Sequence, residues 1–527
     1  MTGAGDTDAR RAAVAQGMAV AHWTAMFPDA PAVIEGDRVL RFAELNARAN
    51  QLVRALRARG VRPGVGIALL CANRTEFVEV VTAADRCGLR LTPVNWHLTT
   101  DEAAYILDDC EASAIVADAR FADVAATATA LVPALKVRLA VGGEISGFDP
   151  YDGALASEPG DDIDDPVIGT RMLYTSGTTG RPKGVHKEAS TAGPAAFASA
   201  ASAWASGYRP GQGQLHLCTG PLYHAAPLQL SLVVPHTGGV GVALMDGWDA
   251  EETLRLIERH RITHTHMVPT MFHRLLSLPP EVKERYDLSS LSFVVHGAAP
   301  CPVPVKQGVI DWWGPIVVEY YAATEGAGTV VRSDDWVKRP GTVGRPEAPD
   351  HIRILDDDGN GLPAGDTGTV YLKAPDDSRF DYFKDNAKTA RAYRGTYYTL
   401  GDVGYLDEEG FLFLTDRSAN LIISGGVNIY PAEVEAVLIT HPAVGDVGVV
   451  GVPHLEWGEE VVAVVEPQPG VRGTNALAAE LLSWCGPRLA RFKCPRRVEF
   501  TDELPRHDNG KLYRQVLRDR YRAPAQA

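Results

Sequence analysis

Short apolar runs alternate with helical patterns from Val65 onward, and this alternation restricts the fold more than any other feature of the chain. Val65 to Ala72, Leu91-Thr92-Pro93-Val94 and Ala114-Ile115-Val116-Ala117 have the length and apolar character of buried strands. Glu76 to Cys87 reads as a helix between the first two, and Thr100-Asp101-Glu102 opens another with Thr100 as its capping threonine. Phe42 to Gly60 precedes them as an amphipathic helix, with Leu45, Ala49, Leu52, Val53 and Leu56 at helical spacing. Strand–helix–strand units of this kind make right-handed crossovers and a parallel sheet covered by helices. A second alternation runs from Leu215 to about Val318. It has a helix over Thr253 to His260 and strands over Ile262 to Val268 and Ser292 to His296. The expected fold is α/β, with a large N-terminal domain of helix-covered, mostly parallel sheets.

The pattern then changes twice. From Gly341 it gives short strands and turns, including His351 to Leu355, the turn Asp356-Asp357-Asp358-Gly359 and Thr369 to Leu372, which predict a small β-rich subdomain. From Asp416-Arg417 it gives a helix over Pro431 to His441 and strands over Val447 to Val452 and Val461 to Val465, a compact α+β domain of its own. At 527 residues the chain exceeds the size of a single core. The expected organisation is a disordered tail over 1–17, an N-terminal domain over 18–415, a hinge at 416–420 and a small mobile domain over 421–527.

The formal net charge of −15 argues against nucleic acid as a partner, because no basic excess exists to neutralise phosphates. The seven cysteines are scattered, with no CxxC pair, as expected of reduced thiols in a cytoplasmic protein. Residues 1–17 lack the apolar core of a secretory signal. Pro227 to Met245 is interrupted by Gln229, His236 and Gly238-Gly239, so no membrane span is expected.

Tyr174-Thr175-Ser176-Gly177-Thr178-Thr179-Gly180-Arg181-Pro182-Lys183-Gly184-Val185 carries the strongest chemical signal. Glycines let backbone N–H groups approach a ligand, and hydroxyls with a lysine add donors. A polyphosphate is the natural guest, although a flexible surface linker has a similar composition. It is not a Walker A loop, because Pro182 precedes Lys183. Three further stretches suit a nucleotide and a metal. Glu319-Tyr320-Tyr321-Ala322-Ala323-Thr324-Glu325-Gly326 offers an aromatic, a hydroxyl and a carboxylate at a strand end. Tyr398-Thr399-Leu400-Gly401-Asp402 offers a carboxylate beside a turn, and Gly510-Lys511 puts a lysine on a turn near the C-terminus. Singly, each is more often core packing or a plain turn. Their occurrence together, in this order, points to a site.

Together these motifs resemble the adenylate-forming superfamily of acyl- and aryl-CoA synthetases, non-ribosomal peptide synthetase adenylation domains and luciferases. The resemblance runs from about Ala32 to Arg514. Its signature is intact at 174–184, and its Tyr-Gly-x-Thr-Glu block appears as Tyr321 to Glu325, with Ala322 where glycine is usual. Gly341 to Pro346, Thr399 to Asp402, Ser424 to Pro431 and Pro505 to Arg514 match further blocks. Pro221-Leu222-Tyr223-His224 is similar to fatty-acid and aromatic-acid CoA ligases.

The resemblance implies an ATP-dependent carboxylic acid:CoA ligase. Its substrates are ATP with Mg²⁺, CoA and a small carboxylic acid, fatty or aromatic, and a homodimer is left open. It implies that Thr175, Ser176, Gly177, Thr178, Thr179, Gly180 and Lys183 hold the β- and γ-phosphates. Thr324 contacts the α-phosphate and Glu325 holds Mg²⁺. Asp402 and Arg417 bind ribose. Tyr320, Tyr321, Ala322 and the turn Gly297-Ala298-Ala299-Pro300 frame adenine. Lys511 bridges the carboxylate and the α-phosphate, and a hinge containing Ala419 then brings Gly425-Gly426 to the thiol tunnel, with His224 at its mouth. Two alternatives keep the adenylation: loading of a carrier protein, and an ATP-dependent diazotase acting on nitrite and an aryl amine. A degenerate scaffold is disfavoured by the intact Lys183, Glu325, Asp402 and Lys511. No pocket-lining cation is evident to grip a second charge on the acid; His264, His266 and His296 cluster nearby in sequence but read rather as polar ends of buried strands.

Overall fold

The structure is a computed structural model and describes residues 4–175, 182–187, 207–374, 379–417, 420–424, 427–454, 457–506 and 510–522. Two large sheets follow from the two alternations. In the first, Asp149–Pro150, Val137–Val141, Ala112–Asp118, Gly66–Leu70, Arg90–Pro93 and Thr170–Arg171 lie side by side, all parallel. In the second, Val317–Ala322, Phe293–His296, His264–Met267, Leu215–Cys218, Gly241–Leu244 and Pro31–Glu35 are parallel, and Ala327–Arg332 and Arg38–Arg41 close its edges antiparallel.

Helices Phe42–Ala58 and Thr75–Arg86 share one apolar core with residues of both sheets, including Val33, Ile67, Leu69, Cys218 and Val242. A helix between two sheets buries nearly its whole circumference, so its polar residues must find partners inside. Glu79 accepts from Tyr151 Oη at 2.9 Å and is paired with Arg48. Arg86 donates to Asn50 at 2.6 Å and Asn46 at 2.8 Å.

The later pattern changes are present as expected. Thr342–Gly344, Leu412–Arg417, Tyr397–Leu406, Gly368–Lys373 and Ile352–Leu355 form an antiparallel sheet. Beyond it, Val427–Ile429, Ile422–Ser424, Gly458–Pro467 and Val444–His454 make a further sheet, joined by Arg497–Phe500 and packed by helices Pro431–Leu438 and Asn475–Cys485. Among the described residues no helix is long and apolar enough to cross a membrane.

Three local expectations are corrected. Residues 4–15 of the expected tail are the helix Ala4–Ala15, whose Val14 and Ala15 are buried with Met18, so apolar contacts order it. The capping threonine of helix Thr100–Asp109 is Thr99, whose N–H donates to Glu102 at 2.9 Å in a capping box. Residues 141–165, whose acidic, glycine-rich composition predicts a loop, contain the short helix Tyr151–Leu155, because Tyr151 is buried against Glu79.

One buried ion pair fixes the strand that carries most of the candidate site. Lys306, on helix Val303–Trp313, donates to Glu319 of Val317–Ala322 at 2.6 Å, and both side chains are buried. Burial pushes the Glu319 carboxyl up and the Lys306 ammonium down, and their mutual attraction opposes both shifts. Lys306→Met leaves an uncompensated carboxylate, and a loss of about 3–5 kcal/mol in urea denaturation is expected. Lys306→Met with Glu319→Leu should regain most of it, since removing both charges removes both desolvation costs.

Candidate active site

Parallel strands all end on the same edge, and ligands of such sheets gather at the carboxyl ends. Three strand ends matter here: Met267, His296 and Ala322. After Ala322 the chain turns back at once. Ala323 N–H donates to Gly326 O at 2.8 Å and Gly326 N–H to Ala323 O at 3.2 Å, so Thr324 and Glu325 form the two-residue tip of a hairpin. A β-carbon on Gly326 would fall 2.0 Å from Tyr398 Oη, so the tip is seated directly on that ring. Tyr382 Oη donates to Glu325 Oε1 at 3.0 Å.

The phosphate-loop candidate is tied to the same place. Leu173–Thr175 and Lys183–Lys187 are antiparallel partners with Thr175 opposite Lys183, and Lys183–Lys187 pairs on its other side with Phe380–Tyr382. The strand holding Lys183 is therefore hydrogen-bonded to the strand holding Tyr382. Ser176, Gly177, Thr178, Thr179 and Gly180 lie outside the described residues. Lys183 Nζ donates to Asp385 Oδ2 at 2.8 Å, and Asp385 Oδ1 caps helix Asn386–Ala392 by accepting from Lys388 N–H at 3.0 Å. The Asp385 contact raises the Lys183 ammonium and Lys183 lowers the Asp385 carboxyl, so both stay charged. Lys388 lies over the Tyr382 ring at 3.9 Å. Burial lowers the Lys187 and Lys388 ammonium groups while the charge of Glu325 opposes that shift, so Glu325 faces a cationic wall.

Tyr321 and Tyr320 part company, as adjacent strand residues must. Tyr321 Oη donates to Asp402 Oδ2 at 2.7 Å, and both are buried. Asp402 stands opposite Arg417 in the register of Tyr397–Leu406 and Leu412–Arg417, so the two expected ribose positions share one rung of the sheet. Tyr320 points to the other face, where its hydroxyl meets His266 Nε2 at 3.0 Å. The turn Gly297-Ala298-Ala299-Pro300 leaves the strand beside them. A β-carbon on Gly297 would meet the Tyr320 ring at 2.6 Å, and Ala298 takes φ +70°. A non-glycine residue in that region carries strain that functional turns commonly hold.

Two expected residues approach from elsewhere. His224 sits at the N-terminus of helix Ala225–Leu228 with its ring 4.4 Å from that of Tyr223. Lys511 lies in a loop whose ends are bridged at Arg506 and Leu512. Arg506 anchors it, donating to Gly510 O at 2.8 Å and to Asp446 Oδ1 at 2.6 Å. Gly510 is laid against the large domain: a β-carbon there would come 2.6 Å from Thr270 Oγ1 and 3.0 Å from Val268. The lysine loop thus rests beside the end of strand His264–Met267. Gly425, Gly426 and the hinge position Ala419 lie outside the described residues.

Asp385, Tyr382 and Tyr398 were not foreseen as site residues. Asp385 before Asn386-Ala387-Lys388 is a legible helix cap, but nothing local indicates a lysine 202 positions away.

The sequence profile described as "AMP-binding enzyme" matches residues 20–378, and that of the "AMP-binding enzyme C-terminal domain" matches 433–511. The chain is similar to a feruloyl-CoA synthase of Amycolatopsis sp., 33% identical over 94% of this chain and 97% of that one. It is 32% identical to a long-chain-fatty-acid–CoA ligase of Mycobacterium tuberculosis, over 92% of this chain and 93% of the relative. Among solved structures, an anthranilate CoA ligase in complex with anthranoyl-AMP superposes with a TM-score of 0.85 at 25% identity, covering 96% of each chain.

The seating of Gly326 gives a test. Gly326→Ala should displace the Thr324–Glu325 tip and lower ATP-dependent turnover roughly a hundredfold, the usual cost of a misplacement near 1 Å. Tyr398→Phe in the same chain removes the oxygen that the new methyl strikes and should restore part of it, read by pyrophosphate release.

Proposed function

The chain belongs to the AMP-binding enzyme family, and from that premise we propose that it is an ATP-dependent carboxylic acid:CoA ligase acting on a fatty or aromatic acid. A carboxylate oxygen attacks the α-phosphorus of ATP, the bond to the bridging oxygen of pyrophosphate breaks, and an acyl adenylate forms. The sulfur of CoA then attacks the acyl carbon, its proton leaves to solvent, and AMP departs with the electron pair of the C–O bond. The observation that carries this reading is the convergence of the Thr324–Glu325 tip, the Tyr321–Asp402 pair and the Lys511 loop on one sheet edge.

In this reading Lys183 and the 175–180 loop hold the leaving pyrophosphate, Thr324 contacts the α-phosphate, and Asp402 with Arg417 holds ribose. Tyr321 and Gly297–Pro300 frame adenine. Lys511 brings a positive charge to the carboxylate and α-phosphate as negative charge gathers there. Among the described residues no three His, Cys, Asp or Glu side chains cluster as a metal cage. That fits Mg²⁺, which takes one or two carboxylates and completes its shell with phosphate oxygens and water. Glu325 would hold it, and when bound it neutralises phosphate charge. Rotation of the small domain about residues 416–420 would withdraw Lys511 and bring Gly425-Gly426 and CoA to the acyl carbon, near His224. All seven cysteines are free thiols, which supports a cytoplasmic setting, where ATP and CoA are at hand.

Lys511→Ala should abolish pyrophosphate release yet spare thioester formation from a supplied acyl adenylate. Unchanged pyrophosphate release would remove Lys511 from the first step. Glu325→Gln should weaken Mg·ATP turnover severely; an unaltered Mg²⁺ dependence in that variant would refute its role as ligand.

A further inference from the structure

Four histidines are buried in or against the face of the large sheet that packs on helical segment 225–237, and three of them are accounted for. His216 is held between Tyr208 Oη at 3.0 Å and Ser231 Oγ at 3.1 Å. His264 Nδ1 meets Thr263 Oγ1 at 2.7 Å, and the Gly207 backbone lies against its other side. His236 Nε2 meets Ala32 O at 3.0 Å. His266 differs. Its Nε2 meets Tyr320 Oη at 3.0 Å, but its Nδ1 is buried with no hydrogen-bond partner among the described residues. Its exposure is 1%. His296 is also orphaned, but it faces Glu319, 3.8 Å away, on the opposite side of the sheet.

An unpaired buried nitrogen loses its hydration without compensation, and whichever tautomer Tyr320 selects, Nδ1 needs a polar partner. The tyrosine on its other nitrogen belongs to a distinct apolar neighbourhood. Tyr320, Leu230 and Val295 form a small apolar cluster with Ala226, Phe293 and Ala322, separate from the main cores. Its member Tyr320 lies two residues before Ala322, on the strand that ends at the Thr324–Glu325 tip, and the Lys511 loop rests two strands away beside Val268. His224 begins the helix that covers the cluster. Gly297 supplies no side chain on the Tyr320 side. Tyr320 is two residues below the strand end, roughly 7 Å at the rise of a strand. An acid with its carboxylate at the edge and its body in this apolar cluster would place an atom one ring's length away beside His266.

We propose that the acid activated here carries a hydrogen-bonding oxygen on the end remote from its carboxylate, and that His266 Nδ1 binds it. This deepens the acid-activating reading and rests on it. Burial depresses the His266 imidazole to about 4, so it meets the substrate neutral and does not ask for a second carboxylate. The matching groups are a phenolic or alicyclic hydroxyl or a ketone. An unsubstituted alkyl chain or phenyl ring would leave Nδ1 buried and unpaired.

The test is ATP–pyrophosphate exchange by the full-length enzyme with acids in matched pairs: 4-hydroxycinnamate against cinnamate, 3-(4-hydroxyphenyl)propanoate against 3-phenylpropanoate, 3-(4-oxocyclohexyl)propanoate against 3-cyclohexylpropanoate, with octanoate alongside. The oxygenated member of at least one pair should be favoured by about tenfold to a hundredfold in kcat/KM. In His266→Leu, or in His266→Phe should the first fail to fold, that ratio should collapse through lost turnover of the oxygenated acid. Equal turnover within every pair, or a preference that survives both variants, would overturn the assignment. Exchange with no acid at all would instead sink the acid-activating reading.

Discussion

A hydrogen bond from Tyr321 to Asp402 holds the candidate site together. It joins a strand of the parallel sheet to a strand of the antiparallel one, and it does so where both carry residues expected at the site. A buried carboxylate needs a donor, and the tyrosine supplies it. With that contact made, Thr324 and Glu325 come to lie above Tyr398, and Asp402 takes its place opposite Arg417. The same strand is fixed from behind by Lys306 on Glu319. Alternation does the rest: Glu319 and Tyr321 serve one face, and Val318 and Tyr320 the other.

The large elements were legible because their cores are periodic. Helix Phe42–Ala58 and strand Gly66–Leu70 fall within their expected limits, since apolar spacing alone decides them. Helix Ala4–Ala15 was not legible: its composition is Ala-rich and charged, and only packing of Val14 and Met18 marks it. The site residues came from motifs whose spacing is chemical. Their supports did not, because Asp385, Tyr382 and Tyr398 reach Lys183, Glu325 and Gly326 across long stretches of chain.

His266 illustrates the same limit from the other side. In the sequence it is one of several histidines near strand ends, all reading as satisfied polar groups. The structure separates them, because satisfaction is a property of neighbours. Ser231 and Tyr208 happen to reach His216, and nothing among the described residues reaches His266 Nδ1. The nucleotide half of such a site is written in loops with fixed spacing. In the reading proposed above, the acid half lies on a buried sheet face, where one residue's meaning depends on packing from segment 225–237.

The position of Lys511 connects the halves. Its loop is braced within the small domain by Arg506 on Asp446, and it touches the large domain through Gly510 at Val268 and Thr270. The brace is internal and charge-assisted, and it survives any rigid movement of the small domain. The contact at Thr270 is close, made by a glycine at φ +77°, and exists in this arrangement of the domains. A rotation would therefore break the weak contact and keep the strong one, carrying the lysine off intact. Such a division suits a residue needed for one step and out of place in the next.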